Sequence, residues 1–142
     1  MTDQDVSFIA DDLIAEAKNQ TGFDDFGEPP YREGLEVLLE TYDLNVKDPE
    51  GRKRCRDRLV MLLATRLKSE EAFKTIPDIA EQTIKAPIFV TGLPRSGTSA
   101  LLNLLVAAPD NRGLLQWEAQ FPEPWPDSEP GQEDPRYPYL VK

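Results

Sequence analysis

The chain has 142 residues, with 16 lysines and arginines against 26 aspartates and glutamates, a formal net charge of −10, one cysteine and no histidine. That balance argues against a nucleic-acid binder, whose affinity rests on cations facing phosphates. The missing histidine excludes an imidazole base, Ser-His-Asp or Cys-His catalysis and His-ligated zinc, while the lone Cys55 excludes an internal disulfide and a cysteine-cluster metal site.

Any general base is then a carboxylate, a lysine, a tyrosine or water. No apolar run approaches the ~20 residues of a membrane span. The start, MTDQDVSF, is acidic where a secretory leader is basic, so a cytoplasmic protein is expected. Charge divides the chain in three. Residues 1–50 carry 3 basic and 14 acidic groups, residues 51–100 carry 10 and 5, and residues 101–142 carry 3 and 7. There is no internal repeat.

The first segment reads as a helix. Thr2 with Asp5 has the form of a capping box, Val6, Ile9, Leu13 and Ala17 recur at helical spacing, and Gly22 is a C-terminal stop. A second helix is predicted from about Pro30 to Tyr42, with Leu35, Leu38 and Leu39 on its apolar face. Asp48-Pro49 is a start signal, because proline is tolerated at the first helical position. The third helix carries Cys55, Leu59, Leu62, Leu63 and Leu67 on one side, with Cys55 expected in the packing. The basic run Arg52, Lys53, Arg54, Arg56 and Arg58 reads as its solvated face, balanced by the acidic first 50 residues. A short helix is expected around Glu70–Phe73, ending before Pro77.

The period changes near residue 87. Pro87-Ile88-Phe89-Val90-Thr91 is a short apolar run bounded by Pro87 and Gly92, which predicts a buried strand. Ser99 to Ala108 is apolar and helix-favouring, and Pro109 stops it. From Phe121 prolines recur and break any regular element. The order is strand, glycine-bearing loop, helix. The predicted fold class is therefore α/β, a P-loop-type nucleotide-binding fold reduced to its first strand-loop-helix unit. A helical region over residues 1–85 precedes it, and residues 86–142 begin the nucleotide-binding domain. One strand does not make a sheet, so the chain is expected to be the N-terminal portion of a larger protein.

The segment between predicted strand and helix, Gly92-Leu93-Pro94-Arg95-Ser96-Gly97-Thr98-Ser99, has the glycine spacing of a phosphate-binding loop. Small residues let the backbone curl with N–H groups inward, and the following helix adds free N–H groups and the positive end of its dipole. Thr98 stands where nucleotide triphosphatases place lysine, and the cation sits in the loop as Arg95. That suits a smaller dianion held by a planar guanidinium better than a Mg-triphosphate.

Residues Phe89 to Ser99, followed by Leu101-Leu102, resemble the 5′-phosphosulfate loop of sulfotransferases that use 3′-phosphoadenosine 5′-phosphosulfate (PAPS). The likeness points to the bacterial sulfotransferase-like group and to the tyrosylprotein sulfotransferases, whose loop also carries Pro-Arg-Ser-Gly-Thr. The helical segment before the loop and the run from Pro109 to Pro126, with Trp117-Glu118, are similar to the bacterial group. The resemblance implies that Arg95 contacts the 5′-phosphate and bridging oxygen, and that Ser96, Gly97, Thr98 and Ser99 hold the 5′-phosphate. It implies Glu118 as base, an acceptor hydroxyl or amine, and no metal. The family's arginine and serine for the 3′-phosphate have no counterpart here, since Arg136 follows the loop too soon. Trp117, Phe121 and Trp125 either line an acceptor pocket or pin the proline-rich segment to the core. The N-terminal helices are either a cap over the acceptor or a separate interaction module. Two other readings stay open: a P-loop phosphate-transfer enzyme such as a nucleotide kinase, and a non-catalytic helical binding module from a truncated gene.

Overall fold

The computed structural model describes residues 6–122, in six helices. They are α1 (Ala10–Thr21), α2 (Arg32–Asn45), α3 (Pro49–Thr75), α4 (Pro77–Glu81), α5 (Thr98–Val106) and α6 (Gln116–Gln120). None of these helices is long and apolar enough to cross a membrane. The chain divides into two compact units, one up to Pro77 and one from Asp78 onward.

In the first unit the periodic leucines do what their spacing predicts. α1 packs mainly along α3 and to a lesser extent on α2. Leu13 and Ala17 of α1, Leu35 and Leu39 of α2, and Leu59, Val60, Leu63, Ala64 and Leu67 of α3 form one buried cluster with Ala10 and Phe26. Gly22 ends α1 in the left-handed conformation, φ 76°, and returns its N–H to Lys18 O at 2.7 Å. Asp48 caps α3, accepting from Gly51 N–H at 2.6 Å with Pro49 at the first helical position. α1 begins at Ala10 behind Ile9, later than the Thr2 signal, which lies outside the described residues.

α3 departs from expectation in length. The short helix expected at Glu70–Phe73 is the end of a single 27-residue α3. The apolar stripe stops at Leu67, but no glycine or proline interrupts the backbone until Pro77, so the hydrogen-bond ladder runs on. Leu62 faces away from the core, and Cys55 is half-buried rather than enclosed.

The basic run of α3 is less solvated than predicted. The Arg52 guanidinium donates to Val6 O, Val46 O and Asp43 Oδ1 (2.7 Å) and lies 4.5 Å from the Phe8 ring centroid. Arg56 pairs with Glu16 at 2.6 Å. These two arginines tie α3 to α1, to α2 and to the segment before α1. Lys53 and Arg54 pair along their own helix with Asp57 and Glu50. Arg66 holds the α1–α2 connection, donating to Phe26 O and Pro29 O at 2.6 Å each, over the Tyr31 ring.

The second unit has no buried helical residue among those described. Residues 87–91 form no strand, and Ile88 and Phe89 stand exposed. A strand is stabilised by its neighbours' hydrogen bonds and side chains, and no other described segment is extended beside this one. The helix after the loop forms as expected, one residue early at its start and two short at its end. α4 was not foreseen; Pro77, read as a stop, opens it.

Candidate functional site

The loop ahead of α5 is built by two left-handed residues. Ser96 N–H donates to Leu93 O at 3.1 Å, closing a turn over Leu93-Pro94-Arg95-Ser96. Proline presets φ at the second position, and the third position, Arg95, has φ 64°. Glycine or asparagine adopts that conformation readily, whereas arginine pays about 1 kcal/mol or more. Such an outlier in a loop is a pointer to function. No hydrogen bond or ion pair joins the Arg95 side chain to another described residue, and it is exposed.

Gly97, at φ 87°, is the N-cap of α5 and has no side chain to cap it. Its carbonyl accepts from Leu101 N–H at 3.0 Å, which starts the helix. The N–H groups of the first turn, at Thr98, Ser99 and Ala100, thus have no side-chain cap. A Cβ on Gly97 would meet nothing within 4 Å, so the space beside it is open. At Gly92 a Cβ would come within 2.6 Å of Ser96 Oγ and 2.9 Å of Thr98 Cγ2. The loop folds back on itself there, and only glycine leaves room for both hydroxyl side chains. Arg95, Ser96, Gly97, Thr98 and Ser99 are therefore brought together on one turn and one helix start. Chemically, this is a row of uncapped N–H donors, three hydroxyls and an unpartnered guanidinium, which suits a small anion.

Glu118 is placed differently. It is the third residue of α6, with its side chain 17% exposed. Its Oε2 accepts from Leu115 N–H at 2.8 Å, and its Oε1 accepts from Arg112 Nη2. The first bond is the carboxylate half of a capping box; Leu115 has no acceptor for the other half. Neither partner comes from the Arg95 loop. Arg112 escaped the sequence reading because it lies six residues before Glu118 in a segment without periodicity, where no i,i+4 rule applies. Trp117 and Phe121 are half-buried, while Trp125 and Arg136 lie outside the described residues. Among the described residues no three His, Cys, Asp or Glu groups stand together as a metal site.

A model of the sulfotransferase family matches residues 87–137. A solved sulfotransferase structure from Mycobacterium tuberculosis H37Rv is 42% identical, with a TM-score of 0.79, over 96% of this chain. The present chain spans 38% of the length of that structure's chain. A search of curated proteins returns no match. These findings support a bacterial sulfotransferase-like family for this chain, the resemblance first visible in Phe89 to Ser99.

Proposed function

We propose that this chain carries the donor-binding loop of a sulfotransferase and, in the full-length protein, takes part in transferring a sulfuryl group from PAPS to a hydroxyl or amine acceptor. The observation that carries the reading is the Gly92–Ser99 loop, with an unpaired Arg95 held at φ 64° beside the uncapped start of α5. The family match at residues 87–137 supports it.

The residues fit the 5′-phosphosulfate end of such a donor. When bound, the donor supplies an activated sulfuryl group. Arg95 spreads two or more donors toward the phosphate and offsets the charge that grows on the leaving phosphate oxygen. The backbone N–H groups at Gly97, Thr98 and Ser99, with the hydroxyls of Ser96, Thr98 and Ser99, fix the phosphate at the positive end of α5. Glu118 accepts the acceptor's proton as the acceptor oxygen or nitrogen bonds to sulfur. No lysine follows Gly97 to reach a γ-phosphate, which weighs against a triphosphate kinase.

The test is calorimetric titration with 3′,5′-phosphoadenosine, the donor's product. Binding that Arg95→Ala weakens about tenfold or more, without Mg²⁺, is expected; a charge-assisted bond of roughly 1.5–3 kcal/mol corresponds to that loss. Unchanged affinity in Arg95→Ala, or binding that demands Mg²⁺ and a triphosphate, overturns the reading.

A further inference from the structure

We propose that Arg112 is a positioning residue for Glu118, holding its carboxylate in one orientation; this rests on the reading of Glu118 as the base. The cap of α6 is made by Leu115 N–H donating to Glu118 Oε2 at 2.8 Å. That bond alone satisfies the capping role. The bond from Arg112 Nη2 to Oε1 is additional, and it uses the oxygen the cap leaves free. Each carboxylate oxygen has two acceptor sites, so a substrate hydroxyl or amine still finds one while both bonds stand.

Exposure separates the partners. The Glu118 side chain is 17% exposed and the Arg112 side chain 74% exposed. Among the described residues Arg112 is the charged group bonded to Glu118.

The Arg112 backbone is itself anchored. On one side Asn111 donates from Nδ2 to Leu105 O at 2.9 Å and from its N–H to Ala108 O at 3.0 Å. On the other side Gly113 lies so close to Val106 that any Cβ there would collide with its side chain. Both anchors belong to the C-terminal end of α5 or to the turn that follows it. The N-terminal end of the same helix begins at Gly97, beside Arg95. One rigid nine-residue helix thus carries the phosphate loop at one end and the Arg112 mount at the other. A base set by that mount keeps its place relative to the donor loop.

The experiment is steady-state kinetics of the full-length protein with Arg112→Ala, Arg112→Lys and Glu118→Gln, beside calorimetry with 3′,5′-phosphoadenosine. Arg112→Ala is expected to lower kcat on the order of 10- to 100-fold, the scale of a misplaced reacting group, with product affinity and the KM for donor unchanged. Arg112→Lys, which keeps a charged N–H donor, restores part of the kcat. If Glu118→Gln abolishes turnover while Arg112→Ala leaves kcat unchanged, the role of Arg112 is overturned and the base stands. A fall in kcat that lysine does not rescue, or that comes with a raised donor KM or weakened product affinity, also overturns it, since a structural prop behaves that way. Full turnover in Glu118→Gln overturns the base and this inference together.

Discussion

The ion pairs of the helical unit tie single residues to pH. Asp25 accepts from Lys74 at 2.8 Å and from Gly27 N–H at 2.8 Å, and these bonds, the Lys74 bond first, hold its carboxyl below the ordinary value of 3.8. Arg52 likewise lowers Asp43 through its hydrogen bond. A depressed folded value means that the contribution is complete above the ordinary carboxylate range and is lost as pH falls through the folded one. Lys74 is raised by the same Asp25 bond, so its share is present below 10.5 and fades only as pH rises through the raised value. Both side chains of the Asp25–Lys74 pair are about half exposed, which keeps the effect small. Circular-dichroism melts of Asp25→Asn between pH 2 and 7 are expected to show a flatter acid slope than the parent, with Asp43 retaining the rest. Identical slopes would remove the pair from the account. In the second unit the Arg95 backbone sits at φ 64°, and no hydrogen bond or ion pair joins its side chain to another described residue.

At the scale of elements, α3 is the organiser. It contributes five of the buried residues, and Leu67 is fully enclosed. Truncating such a leucine removes its burial and leaves a cavity, which costs roughly 2–5 kcal/mol. Leu67→Ala is therefore expected to lower the urea midpoint of the helical transition by most of the unit's stability. Asp48→Ala removes only the cap and is expected to cost about 1 kcal/mol. A Leu67→Ala midpoint no lower than that of Asp48→Ala would mean that α1 and α3 do not depend on this packing. The arginines explain why α3 is basic where it crosses acidic neighbours. Arg52 and Arg56 are charged clasps between helices, with stems packed and heads paired. A run of basic residues on a helix reads as solvent-facing when viewed alone; the acids that meet Arg56 and Arg52 are Glu16 on α1 and Asp43 on α2.

On the scale of the whole molecule, the two units differ in what covers their apolar residues. The first encloses a cluster. In the second, Ile84, Phe89 and Leu93 are each more than 80% exposed, and Leu101, Leu102 and Leu104 of α5 are exposed as well. Contiguous apolar surface of this kind binds hydrophobic probes. The chain is expected to enhance the fluorescence of anilinonaphthalene sulfonate, with the signal reduced by Phe89→Ser and Leu104→Ser while the helical melt of the first unit is unchanged. No reduction in either variant would place the exposed surface elsewhere.

Much of this molecule was legible locally. Leucine spacing marked α1, α2 and α3, Gly22 and Asp48-Pro49 marked their ends, and Gly92 to Ser99 marked the turn ahead of α5, because each of these signals acts over one or two turns of backbone. Tertiary structure alone decided the rest. It joined Glu70–Phe73 to α3, left Leu62 outside the core, buried Arg52 against Phe8 and Asp43, and set Arg112 on Glu118. It also left residues 87–91 without a strand. The physical reason is common to these cases: a helix can satisfy its own backbone from a local pattern, whereas a strand, a buried charge or a side chain's partner is settled by groups that only folding brings near.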